Sequence, residues 1–105
     1  MIRLVPLACV CILLLFQPAI AHEAGPDEIA GVVTDEAGQP IQGATVDAWS
    51  WYSGNETKTD KDGKFHLNKL RDGRPVELKI SMPGYSPWYN VAQPLGVSDC
   101  NVTLN

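Results

Sequence analysis

The sequence is poor in the residues that most enzymes and nucleic-acid-binding proteins depend on. Of its 105 residues only two are histidine, His22 and His66, and only three are cysteine. Eight Lys and Arg stand against 12 Asp and Glu, a formal net charge of −4, and the basic residues form no cluster. Nucleic-acid binding relies on concentrated positive charge that releases counterions, so that class of partner is excluded. A zinc peptidase needs a His-x-x-Glu pair and a distant third ligand, and neither histidine has Glu three residues on, which removes metal-assisted hydrolysis. His66 lies in a strand-like run beside Phe65, where a surface role is expected rather than that of a general base. No segment has helical periodicity. The sequence therefore offers no catalytic residue, no metal site and no cofactor site.

Long hydrophobic runs are also scarce, with one exception at the start. Arg3 precedes an unbroken apolar run from Leu7 to Phe16, followed by Gln17-Pro18-Ala19-Ile20-Ala21. The run is shorter than the roughly 18 residues that cross a bilayer, and Ala19 and Ala21 suit signal peptidase. Residues 1–21 are expected to be a signal peptide, which places the chain outside the cytoplasm, secreted or in the periplasm or cell envelope, with no membrane span after cleavage. Cys9 and Cys11 sit inside the run rather than at its end, against a lipid-attached cysteine. Loss of Arg3 with the leader takes the net charge from −4 to −5 and leaves Cys100 as the sole thiol, so no intrachain disulfide can form. Cys100, just before Val102 and Leu104, is expected to be buried and inert.

What remains reads as short strands separated by turns. Residues 22–28 are polar with Gly25-Pro26 and are expected to form a flexible lead-in. Ile29 to Thr34 is rich in β-branched residues, and Asp35 to Pro40 supplies a turn in which Gly38 can take positive φ and Pro40 fixes the re-entry. Ala44 to Tyr52 alternates, with Ala44, Val46 and Ala48 on one face and Thr45, Asp47, Trp49 and Trp51 on the other. Ser53-Gly54-Asn55 interrupts the pattern. Glu56 to Asp60 and Lys64 to Leu67 flank the tight turn Asp60-Lys61-Asp62-Gly63 and are expected to pair as a hairpin. Val76, Leu78 and Ile80 then alternate with polar residues. Gly84 lies in a turn, Ser86 to Val91 suggests an edge strand, and Val102 and Leu104 mark the last strand.

Two segments carry weak ligand signals. Asp60-x-Asp62-Gly63 resembles the opening of a calcium loop, but Phe65 and Arg71 stand where an EF-hand needs Gly and Glu, so a turn is the better reading. Cleavage would leave His22 as a first residue able to chelate copper, yet a full site would need His66 close by. The aromatic signal is stronger. With Val46 and Ala48 inward, Trp49 and Trp51 would face solvent about 6.5 to 7 Å apart along a strand, where two indoles can stack on successive sugar rings. Trp88 and Tyr89 would extend that platform if their strand lies near. Capping or packing of these rings against a loop is the competing structural role.

Gly31 to Asp35, Gly38 to Val46, Thr59 to Phe65 and Pro83 to Tyr85 carry a G-x-V-x-D start, a G-x-P-I-x-G-A-x-V hairpin, a T-D-x-x-G-x-F centre and P-G-Y. This pattern, spread over residues 29–104, resembles the carboxypeptidase regulatory-like domain. The resemblance implies an all-β, antiparallel Greek-key sandwich of about seven strands with a transthyretin-like (prealbumin-like) fold over residues 29–105. It also implies a non-enzymatic structural or interaction module, with an unidentified protein or polysaccharide partner and carbohydrate binding through the Trp pair as the alternative. The Tyr-Arg-Gly-Ser signature of the related transthyretin-like hydrolases is absent. Family distribution points to a bacterial source, in which the glycosylation patterns at Asn55 and Asn101 would be coincidental.

Overall fold

The computed structural model describes residues 24–51, 53–70 and 74–105. The expected signal peptide, its cleavage site, Cys9, Cys11 and His22 lie outside the described residues. Seven strands, β1 (Ile29–Thr34), β2 (Thr45–Trp49), β3 (Gly54–Lys58), β4 (Lys64–Leu67), β5 (Val76–Ser81), β6 (Trp88–Gln93) and β7 (Val102–Thr103), form two sheets. The smaller has the order β4-β1-β7 and the larger β3-β2-β5-β6. Pairing is antiparallel except for a short parallel contact between β1 and β7. No described residue is helical, and the chain is an all-β sandwich of the transthyretin-like type.

The alternation of each strand explains why the sheets face each other. Val46 and Ala48 on β2 and Leu78 and Ile80 on β5 are fully or almost fully buried, and they meet Ile29, Val33 and Leu67 from the smaller sheet. Gly31, between Ile29 and Val33, must be glycine because a Cβ there would collide with the carbonyl of Cys100. That close approach also lets the Cys100 amide donate to the Ala30 carbonyl at 3.0 Å.

Pairing differs from expectation at two places. The segments flanking Asp60–Gly63 do not form a hairpin: β3 pairs with β2 and β4 with β1, so this turn carries the chain from one sheet to the other. The Asp35–Pro40 turn likewise closes only a local bridge between Thr34 and Pro40 before the chain crosses to β2. The hairpins are β2–β3, closed where the Ser50 amide donates to the Ser53 carbonyl, and β5–β6.

Both crossing turns use the same hydrogen-bond pattern. Asp35 Oδ1 accepts from the amides of Ala37 and Gln39, and Asp60 Oδ1 accepts from those of Asp62 and Lys64. In each, a glycine three residues on donates its amide to the Asp carbonyl, with φ of 81° at Gly38 and 75° at Gly63. At Gly63 a side chain would also strike the Val33 carbonyl, which leaves glycine as the only residue that fits. Just before the second turn, buried Thr59 donates its hydroxyl to the Ile41 carbonyl at 2.6 Å and accepts from the Ala44 amide at 2.9 Å, tying the two crossings together.

The expected loose lead-in is tied down from Ala24 onward. Its amide donates to Ser98 Oγ, the Asp27 carbonyl accepts from Leu70, and Glu28 Oε1 lies 3.0 Å from His66 Nε2 on β4.

Candidate functional site

The outer face of the larger sheet is open to solvent. On β2 it presents Thr45, Asp47 and Trp49; cross-strand register places Glu56 and Lys58 of β3, and Glu77 and Lys79 of β5, beside them. On β6, Tyr89 sits opposite Lys79, whose ammonium lies 5.8 Å from the ring centroid, and Val91 follows on the same side. Strands lie about 4.8 Å apart, so the row from Trp49 across Glu77 toward Val91 spans about 10 Å.

At one end of this face Trp49, Ser50, Trp51, Pro75, Glu77 and Val91 line an open groove of about 540 Å³. Trp51 is 95% exposed and Val91 75%, whereas Trp49 is half-buried. Gly54 stands opposite Trp49 on β3 and leaves that flank of the indole without a neighbouring side chain. Trp51 is not in the strand. β2 ends at Trp49 and the hairpin turn begins at Ser50, so the two indoles are offset by the turn rather than spaced along one strand.

The candidate aromatic residues therefore divide. Trp49 and Trp51 share the groove, and Tyr89 occupies the same face one row away. Trp88 does not join them: it pairs with buried Ile80, takes that residue's inward direction and packs against the core. The strand begins at Trp88 itself, and this parity turns Tyr89 outward in its place. Glu77, Val91 and Pro75 were not visible as site residues in the sequence, because only cross-strand register brings them to the tryptophans.

A carboxypeptidase regulatory-like domain model matches residues 28–105. The chain belongs to this family. Among solved structures, the dioxygenase domain of a dioxygenase–carbohydrate-binding protein fusion from Streptomyces sp. SirexAA-E is similar with TM-score 0.56 and 16% identity, covering 84% of each chain. A candidate carbohydrate-binding protein from Bacteroides uniformis aligns with TM-score 0.58 and 13% identity over 76% of this chain and 42% of its own. A point mutant of catechol 1,2-dioxygenase from Acinetobacter radioresistens gives TM-score 0.54 and 17% identity over 73% of this chain and 50% of its own. At these identities the likeness is one of fold. No curated protein matches the sequence.

Elsewhere the domain offers less chemistry. A second groove of about 550 Å³ beside β1 and β4 includes Lys58, Asp60, Lys64 and His66. Several of its polar groups are already engaged: Asp60 by turn amides, His66 by Glu28 and Lys58 Nζ by Thr45 Oγ1. Among the described residues no three His, Cys, Asp or Glu side chains are grouped to hold a metal. Cys100 is buried, its Sγ 3.6 Å from Gln93 Oε1, and burial, aided by Asp99, pushes its thiol up to about 11. It is neutral at working pH and is no nucleophile.

Proposed function

We propose that this chain is an exported, non-enzymatic binding module that takes carbohydrate in the Trp49–Trp51 groove. The observation that carries the reading is the 95% exposure of Trp51 in a groove it shares with a second indole and a carboxylate. Covering about 100 Å² of such a ring contributes about 2.5 kcal/mol. Sugar rings supply a flat apolar face for the indole and hydroxyls for polar neighbours such as Glu77 and Ser50. The fold shared with the Bacteroides uniformis candidate carbohydrate-binding protein supports the reading, and the leader sequence supports export to the envelope or beyond.

A protein partner would instead add a strand along the open edge of β6. That edge is poorly suited to strand addition. The β5–β6 ladder shifts register between Val76 and Leu78, and Asn90 Oδ1 already takes the Ala92 amide. Depletion assays with the purified full chain on insoluble cellulose, chitin and xylan test the choice. The protein is expected to bind at least one of them, with Trp51→Ala reducing retention at least about fivefold, the loss of one stacking contact. Retention unchanged in both Trp49→Ala and Trp51→Ala would contradict the assignment of the site.

A further inference from the structure

The groove has one charged lining residue among the described residues, Glu77. It is exposed, and no hydrogen bond or ion pair engages its carboxylate among the described residues. Register sets it directly across from Trp49, which brings the two Cβ atoms to about 5 Å, and it lines the groove together with both indoles and Val91. The next outward residue on β5, Lys79, does not neutralise it. Its ammonium lies over Tyr89, and its cross-strand partner on β2 is Asp47. Arg74 precedes Pro75 and is exposed, but it is not a lining residue.

An unpaired carboxylate beside indole faces attracts a cation twice, through its charge and through the negative face of each ring. An acidic sugar would meet repulsion there, reinforced by the chain's net charge of −4. A neutral sugar would use the rings and leave the charge unmatched. Resting on the carbohydrate reading above, we infer that the groove selects a glycan of hexosamine units with free amino groups. The sugar ring lies on Trp51 and the ammonium donates to Glu77, which makes Glu77 the specificity-determining residue.

Isothermal titration of the full chain with β-1,4-linked oligomers of glucosamine, N-acetylglucosamine and glucose, matched in length, tests this directly. The free-amine oligomer is expected to bind about tenfold more tightly than the acetylated one, the combined size of an exposed ion pair and a cation–π contact. Glu77→Gln should cut that preference to about threefold, the part carried by the cation–π contact, while Trp51→Ala should weaken all binding. Thermal melts of Glu77→Gln should match those of the parent because the side chain is exposed and unpaired. Equal affinity for free-amine and acetylated oligomers, or an undiminished preference in Glu77→Gln, overturns the inference and leaves sugar binding standing. Displacement by an oligolysine peptide of equal charge at the same concentration also overturns it, since the groove would then read charge without the sugar. Failure of every oligomer to bind removes the carbohydrate reading, and the inference with it.

Discussion

Thr59 shows how much a single buried hydroxyl does in this domain. It satisfies the Ile41 carbonyl and the Ala44 amide at once, inside the core and between the two sheet crossings. Thr59→Val keeps the shape and removes both bonds, leaving a buried donor and acceptor unmatched at a cost of about 1–3 kcal/mol. A urea titration should show a lower midpoint with an unchanged slope. The tryptophans should respond in opposite ways. Trp88→Ala removes a ring packed on the core and should cost about 2 kcal/mol, whereas Trp51→Ala, at 95% exposure, should change stability by less than about 0.5 kcal/mol. The outward direction of Trp49 was legible in the sequence because alternation is a local property of one strand. The direction of Trp88 was not: it depends on where β6 begins, which is fixed by pairing with Ile80.

The strands are legible in the sequence and their partners are not. Residues 29–34 and 64–67 alternate or branch as strands should, and they fold as β1 and β4. The Asp-x-x-Gly turns specify a tight reversal, satisfied by local amides whether or not the flanking strands hydrogen-bond to each other. Partner choice follows from burying Leu67 and Phe65 against one sheet and Val46 against the other, which is a non-local requirement. Amide donation from Lys64, above all, holds the Asp60 carboxyl below its ordinary 3.8. A depressed folded-state value means that the turn's contribution is present above the unfolded value near 4 and is lost as the pH falls through the lower folded one. Thermal melts from pH 7 to pH 3 should therefore show Asp60→Asn less stable at neutral pH, with the gap narrowing in acid. Gly63→Ala, which combines φ of 75° with a collision at the Val33 carbonyl, should lower the melting temperature at every pH.

At the scale of the whole molecule, the sandwich presents its exposed aromatic groove on the outer face of the larger sheet. The two sheets use up most of the other described apolar side chains, and among the described residues no buried side-chain nitrogen or oxygen lacks a hydrogen-bond partner. The single described thiol follows this division. Cys100 should resist thiol reagents at neutral pH and react only as the domain opens, so its labelling rate should rise with urea in parallel with unfolding. The groove depends on the whole fold in a way no segment of sequence displays. Trp49 and Trp51 come from β2 and its turn, Glu77 from β5 and Val91 from β6, and the sheet order alone makes them neighbours.

The most direct test of that face is the intrinsic fluorescence of the full chain during acrylamide quenching, repeated with saturating soluble glycan. Trp51 should give a red-shifted, readily quenched component that becomes blue-shifted and protected when glycan binds, and Trp51→Ala should lose that component alone. Emission that is blue-shifted and protected from the outset, unaltered by glycan and by Trp51→Ala, would contradict a solvent-open aromatic site and the carbohydrate-binding function built on it.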